Sequence, residues 1–463
     1  MIDFISTNDN YTGDLMELVR AFHARTDKDF SLHLDYSIDG DRMSVSLKLD
    51  GDTSGEYNSQ FTIVYNGDME RKRLEKRYLK EAIYNAIVDY TGVKLPYGCL
   101  TGIRPTKLFR ELGDKARDMF ENDFSVSEKK VDLVEKIVKV QEPVRNDGDG
   151  FDVFVFIPFC PTRCTYCSFV SVPIDKQKKL IEPYVECLLK EIEFIKEVVT
   201  TKNLKIRTVY VGGGTPTSIP NDLLDKILGS LEWFKPFEFT VEAGRPDTIN
   251  FDILTMLKSH GVTRISINPQ TFNDKTLTRI GRKHTTALVE EVYAMAKDMF
   301  SVNMDLIACL PGETLDDFKH SVDKAIELDP DNITVHTLYL KKGSALKVGG
   351  YQSSDNDSSE KMVDYACDEL MKAGYEPYYM YRQKYTSANL ENVGYAKPKT
   401  LCVYNVDIME EDTSILAMGA AAISKKWSKD LNLIERNANY KEPLEYVKHF
   451  DTVLEKQRKF WLE

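Results

Sequence analysis

Between residues 151 and 340 short apolar runs alternate with amphipathic stretches, and no other feature of the chain limits its fold as tightly. The spacing predicts strands over 153–157, 208–211, 238–241, 264–267, 303–307 and 333–336. Helical patterns at 183–199, 221–231, 251–260, 285–298 and 315–328 fill the intervals, and Pro183 suits a first helical turn. Strands that alternate with helices imply right-handed crossovers and a parallel sheet. The fold class expected is therefore α/β, as a partial (β/α)6 barrel or a doubly wound sheet.

The flanks follow other patterns. Residues 31–38 and 43–49 alternate apolar and polar positions around Asp39-Gly40, a hairpin signal. A further strand is expected at 61–65, a helix at 71–90 stopped near Gly92, and another helix at 128–140 ending before Pro143. The polar, turn-rich run Arg145-Asn-Asp-Gly-Asp-Gly150 reads as a boundary. Beyond 341 the alternation stops. A helix is expected at 358–373, ended by Gly374, with strands at 378–381 and 400–406 and a helical tail from Pro443. This divides the chain into a small N-terminal α+β domain (1–145), a core (150–340) and a C-terminal α+β domain on the substrate side (341–463). A length of 463 residues suits several cores rather than one.

A net charge of −12 argues against a broad nucleic-acid footprint. The basic run at 71–77 shares its stretch with Leu74, Leu79, Ile83 and Ile87, the pattern of a helix with a solvated charged side. No apolar run approaches the roughly 20 residues of a membrane span. The N-terminus lacks the basic and apolar regions of a signal peptide, so a cytoplasmic protein is expected.

Eight cysteines in such a chain do not suggest a disulfide framework. Cys99, Cys187, Cys309, Cys367 and Cys402 are scattered among apolar or helical neighbours and read as small buried hydrophobes. The other three stand together in Cys160-Pro-Thr-Arg-Cys164-Thr-Tyr-Cys167, directly after the first core strand. Thiolates are the ligands iron–sulfur clusters use. Three of them leave one iron of a cubane open to a small chelator, such as the amino and carboxylate groups of S-adenosylmethionine (SAM). Structural zinc wants four ligands, commonly as paired CxxC, and no second pair lies nearby.

CxxxCxxC after a strand, with Tyr166 before the third cysteine, resembles the radical SAM superfamily. Gly212-Gly-Gly-Thr-Pro-Thr217, residues 266–270, Gly281-Arg-Lys-His284 and residues 305–313 resemble the oxygen-independent coproporphyrinogen III oxidase family, from about 151 to the C-terminus. Residues 97–108 and 389–395 resemble its coproporphyrinogen dehydrogenase branch, which carries an extra N-terminal domain. The resemblance implies a partial radical SAM barrel holding a [4Fe–4S] cluster on Cys160, Cys164 and Cys167. It implies SAM contacts from Tyr166, from the Gly212, Gly213, Gly214 and Thr215 turn, and from Glu242, Gln270, Arg282 and Asp305. In this scheme backbone groups near the glycine turn take the amino group, Glu242 is a SAM-contacting acid, Arg282 reaches the carboxylate and Asp305 the ribose hydroxyls. All fall at or just past strand ends, where parallel-barrel sites assemble.

The implied reaction is decarboxylation of coproporphyrinogen III without oxygen, which requires a tetrapyrrole substrate and an external electron donor and acceptor. Candidates for holding the substrate carboxylates are Arg104, Lys341, Lys342, Arg382 and Lys384, with Tyr339, Tyr381 and Tyr395 against the macrocycle. The chain departs from the family pattern at five positions. Phe154 and Phe156 replace Tyr and His, Phe169 replaces a further cysteine, and Cys309 and Ala421 replace glycines. The loss at Phe169 is shared with haem-chaperone relatives and supports the first of two alternatives. One is a haem-binding or haem-delivery protein with His336 or His284 as axial ligand. The other is a radical SAM enzyme acting on another tetrapyrrole or on nucleic acid.

Overall fold

The computed structural model describes every residue except Met1, Asp147, Asp149 and residues 340–343, 349–355, 384–389 and 430–432. The chain forms two compact units, Met1–Val138 with Tyr381–Glu391, and Lys139–Met380 with Asn392–Glu463. Among the described residues no helix is long and apolar enough to cross a membrane.

In the first unit β1 (Ile2–Ser6) runs parallel to β2 (Phe30–Asp39). The strands β3 (Arg42–Asp50) and β4 (Ser54–Thr62) follow as antiparallel neighbours. The expected hairpin forms, with Gly40 in the left-handed region at φ +61. Alternate residues Leu32, Leu34, Met43, Val45, Leu47 and Leu49 are buried. Helix Asp68–Thr91 packs on β3 and buries Leu79, Ile83, Tyr84 and Ile87, about 1.5–3 kcal/mol for each large apolar side chain. Gly92, left-handed, ends it. The strand expected at 61–65 instead occupies Ser54–Thr62. Its residues are mostly polar and alternately exposed, so apolar patterning marks only its end. Within this unit Arg382 is buried, with its guanidinium 4.0 Å from the centroid of the Tyr97 ring and donating to the Leu100 carbonyl.

The second unit is built on strands β5 (Gly150–Ile157), β6 (Phe159–Cys160), β7 (Val172–Pro173), β8 (Lys205–Gly213), β9 (Glu238–Val241), β10 (Arg264–Ser266), β11 (Ser301–Ala308), β12 (Asn332–Thr337), β13 (Glu376–Arg382), β14 (Glu391–Ala396), β15 (Ser414–Met418), β16 (Ile423–Ser428) and β17 (Leu433–Ala438). All but β6 and β7 join one open sheet in the order β13-β14-β12-β11-β10-β9-β8-β5-β15-β16-β17. The six expected strands lie side by side and parallel, β12 through β5, so the α/β class with a partial barrel holds. A seventh parallel strand, β15, comes from the C-terminal segment and flanks β5 from Ser414↔Phe151 to Met418↔Val155.

Helices Asn221–Leu231, Phe251–Ser259, Thr286–Ala296 and Leu315–Leu328 stand where expected. Asn250, Thr285 and Thr314 cap the last three, and Thr314 forms a capping box with Asp317. Two further expectations fail. The helix assigned to 183–199 begins at Ile174, with a kink at Gln177, so Pro183 lies in its interior. Residues 400–406 form no strand, because Val403–Glu410 is helical. The Glu238 carboxylate takes the Val403 and Tyr404 amides, satisfying orphan donors of that helix start.

One buried carboxylate fastens the C-terminal segment. Glu191, on helix Ile174–Lys202, accepts from the Gly419 amide, Asn439, Tyr446 and Gln457 at 2.6–3.1 Å. Helices Pro443–Lys448 and Phe450–Leu462 form the expected helical tail.

Candidate functional site

Chain geometry past β5 brings the cysteine loop to the strand ends. The Ile157 carbonyl accepts from the Gly214 amide at 2.8 Å and the Phe159 carbonyl from the Thr215 amide at 2.7 Å, which ties the glycine turn after β8 to the start of the loop. Each glycine has its own reason. A Cβ on Gly214 would sit 2.5 Å from the Phe159 carbonyl, and Gly213 has φ +109 beside the Phe156 ring. On Gly212 it would meet Glu242 Oε2 at 3.0 Å. Farther along the loop the Thr165 amide donates to Ile280 and the Thr162 hydroxyl to Gly281. The 281–284 segment therefore backs the cysteines.

Cys160, Cys164 and Cys167 are half-buried and unbridged. Each sulfur faces a protein donor, and Cys164 faces two, because Arg282 also hydrogen-bonds it. The Thr215 hydroxyl lies 3.5 Å from Cys160 Sγ, Arg245 Nη1 lies 3.8 Å from Cys164 Sγ, and the Phe169 amide hydrogen-bonds Cys167. A donor on every sulfur suits thiolates, and thiolates are what a cluster needs. Without a cluster, burial pushes the Cys160 thiol up to about 11 and the Cys167 thiol upward as well. Among the described residues no three His, Cys, Asp or Glu side chains converge on one metal ion. A cubane spreads its thiolates over separate corners, so the residues present fit that group better than zinc.

The expected SAM contacts gather around the same strand ends. Glu242 directly follows β9 and accepts from the Tyr210 hydroxyl. Burial pushes its carboxyl up to about 7. Asp305 lies on β11, opposite Thr334, with Asn303 donating to it at 2.8 Å and His336 Nε2 3.7 Å away. Burial would raise the Asp305 carboxyl, but the hydrogen bond and charge of His336, with Asn303, hold it below the usual range. Gln270 follows β10 in the left-handed region at φ +67, its amide bonded to the Asp305 carbonyl. Strain of this kind in a non-glycine residue costs of order 1–2 kcal/mol and collects at functional sites.

Arg282 donates to the Gly244 and Asn268 carbonyls and to the Tyr166 hydroxyl at 2.9–3.1 Å. Much of its fork is thus engaged by protein, and Tyr166 is held by it. His284 has a fully buried ring 3.9 Å from Asp247, and burial together with the Arg282 charge pushes it down to about 4. The ring is closed off from any large ligand, whereas His336 is one-quarter exposed, at 26%.

Of the substrate-holding candidates, Lys341, Lys342 and Lys384 lie outside the described residues. Arg382 is engaged by Tyr97 and Leu100, and Tyr395 is a core residue on β14. Cys309 and Ala421, which stand where the family pattern has glycine, have φ +68 and +62. The Cys309 thiol turns into the core, 3.1 Å from Ser359 Oγ. Phe169 projects into solvent at 66% exposure. Arg245 escaped sequence reasoning. Its only signal is its place three residues after Glu242 and two before an acid, Asp247.

Comparison with known proteins agrees with this geometry. The family model for the Radical SAM superfamily matches residues 154–325. The oxygen-independent coproporphyrinogen-III oxidase-like protein HemZ of Bacillus subtilis (strain 168) is 34% identical over 95% of this chain and 92% of its own length. The heme chaperone HemW of Lactococcus lactis is 33% identical over 49% of this chain and 60% of its own. In fold, the chain is similar to coproporphyrinogen III oxidase (HemN) from Escherichia coli, described as a radical SAM enzyme. The TM-score is 0.54 at 22% identity, covering 68% of this chain and 73% of that one.

Proposed function

We propose, from the premise that this chain belongs to the radical SAM superfamily and within it to the oxygen-independent coproporphyrinogen-III oxidase-like family, that it decarboxylates coproporphyrinogen III to protoporphyrinogen IX without oxygen. The superfamily uses a [4Fe–4S] cluster and SAM. Cys160, Cys164 and Cys167 would hold the cluster. When bound, the pair supplies one-electron chemistry strong enough to take hydrogen from an unactivated C–H bond.

The chain's own residues bind and orient. The Gly212–Gly214 turn lets a ligand approach the backbone closely, and Glu242 beside it offers a carboxylate to an ammonium group. Arg282 holds Tyr166 and Cys164 in place and carries the positive charge a carboxylate seeks. Asp305, kept ionised by His336, suits a ribose diol, and Gln270 is locked beside it. In the net reaction each of two propionates loses a β-hydrogen, CO2 and one electron and becomes a vinyl group. An external electron donor and acceptor are therefore required. Residues 341–463 would supply the substrate side. We assign the protein to the cytoplasm.

The observation that carries the reading is the set of donors on all three cysteine sulfurs, adjoined by Glu242, Arg282 and Asp305. The experiment is anaerobic cluster reconstitution followed by incubation with SAM, a reductant and coproporphyrinogen III. Mass spectrometry should find 5′-deoxyadenosine together with protoporphyrinogen IX. Return of the substrate unchanged by cluster-loaded protein overturns the assignment.

A second reading, haem binding and delivery, draws on the exposed Phe169 and on the similarity to heme chaperones. Stoichiometric haem binding without SAM cleavage favours it. SAM cleavage with a different tetrapyrrole substituted for coproporphyrinogen III points instead to another radical SAM reaction.

A further inference from the structure

Arg245 is 3% exposed and lies just beyond the end of β9, beside the cysteine loop. Its Nη1 reaches both the Thr162 hydroxyl at 3.1 Å and Cys164 Sγ at 3.8 Å. The opposite edge of its fork is clamped by Asp247, with Nε to Oδ1 and Nη2 to Oδ2 each at 2.8 Å. A bidentate carboxylate fixes the plane of a guanidinium, and here that plane aims its remaining nitrogen at a cysteine sulfur. Burying a charged side chain is costly unless its partners are built around it. The grip by Asp247 and Thr162 shows that the fold provides them.

The surroundings sharpen the effect. Arg282 lies close enough to Arg245 to repel it, and His284 is neutral at ordinary pH, so Asp247 is the balancing charge of this corner. The Asp247 carboxyl is held below its usual range: burial opposes this, but Arg245 outweighs it. The other two cysteine sulfurs have uncharged donors, Thr215 and the Phe169 amide. Cys164 alone among the three faces guanidinium donors: Arg282, which is held by carbonyls and Tyr166, and Arg245, which alone of the two is held by a carboxylate.

We propose that Arg245 is a positioning residue that sets the reduction potential of the cluster through Cys164, with Asp247 as its counterweight. Reducing the cluster by one electron from an external one-electron donor adds one negative charge shared with the cysteine sulfurs. An N–H donor on sulfur and a nearby positive charge stabilise that added charge, and hydrogen bonds to sulfur are among the levers that place such potentials. Asp247 opposes the same change, so the two side chains act with opposite signs. This rests on the cluster assignment and not on the tetrapyrrole chemistry, because neither substrate nor turnover enters the measurement.

The test is a mediator titration of the reconstituted full chain, read by electron paramagnetic resonance. R245Q should lower the reduced-to-oxidised ratio at fixed potential about tenfold, which for a one-electron couple is ~59 mV. R245K keeps the charge and should recover most of the loss. D247N leaves Arg245 unbalanced and should move the ratio the other way. If R245Q stays within about twofold of the unsubstituted protein, Arg245 does not tune the cluster. Should R245Q fail to load a cluster, D247N decides: a raised ratio supports the proposal, and an unchanged or lowered one overturns it.

Discussion

Tyr210 donates its hydroxyl hydrogen to Glu242, so the acid at the end of β9 is held by a ring on the neighbouring strand β8. That ring stacks on Tyr404 with centroids 4.3 Å apart, and Tyr404 stacks on Phe154 at 6.0 Å. One of the Glu242 carboxylate's contacts is therefore backed by an aromatic column. Burial and the Asp305 charge push its carboxyl up to about 7, while the Tyr210 hydrogen bond pulls the other way.

A raised acid gives up its proton only as pH climbs through the raised value. Below about 7 Glu242 meets a ligand ammonium as a neutral acid, and above it as a carboxylate. Calorimetric affinity of the cluster-loaded protein for SAM should then rise about tenfold from pH 6 to pH 8. E242Q should flatten the profile. Y210F should move its midpoint upward, because the lost hydrogen bond was a lowering influence. A flat profile in the unsubstituted protein would show that Glu242 does not meet the ammonium.

Replacing any one of Cys160, Cys164 or Cys167 by alanine should abolish the absorbance and paramagnetic signal of a four-iron cluster after reconstitution. C187A, at a half-buried thiol on helix Ile174–Lys202, should load iron and sulfide as the unsubstituted chain does. Loss of iron from C187A alone would remove the assignment of the cluster to the loop.

Gly214→Ala places a methyl group 2.5 Å from a backbone carbonyl, where nothing flexible can yield. Relief requires breaking the bonds from Gly214 to Ile157 and from Thr215 to Phe159. Thermal unfolding should register a loss of about 1–3 kcal/mol, and cluster retention should fall in parallel. Unchanged melting and iron content would mean the turn is looser than these contacts imply.

Ala421 and Cys309 test whether glycine is preferred for backbone reasons alone. Both have positive φ, a conformation that costs a non-glycine residue about 1–2 kcal/mol. A421G should gain a few tenths to about 1 kcal/mol in denaturant unfolding, since little but a methyl group is lost. C309G should gain nothing or lose stability, because the Cys309 thiol is buried against Ser359 and Met362. Equal gains at both positions would show that this packing contributes nothing.

Much of this architecture is legible before any coordinates. The hairpin at Gly40, the six core strands and their helices follow from periodicity, caps and turn residues, which are local signals. The misses arise where tertiary contacts override local preference. Val403 and Val406 are β-branched, yet Glu238, far away in sequence, seeds a helix by taking the Val403 and Tyr404 amides. Pro183 is compatible with a helix start, but the chain continues the helix back to Ile174. Strand β15 is an apolar run without a period, and its pairing with β5 is fixed by distant residues. Within the site the cysteines, glycines and strand-end acids have motif spacing, whereas Arg245 and Tyr210 matter only through neighbours that the fold brings to them.

The cysteine loop hangs from β5, and β5 has β15 as one of its two neighbours. More than 200 residues separate Phe151 from Ser414, and the Glu191 grip awaits Tyr446 and Gln457, later still. A growing polypeptide on the ribosome thus carries its three thiols in a loop that follows a strand lacking one of its two neighbours. Cluster loading is on these grounds expected to follow completion of the chain, and a protein truncated near the C-terminus should take up little iron and sulfide on reconstitution even though every cysteine is present.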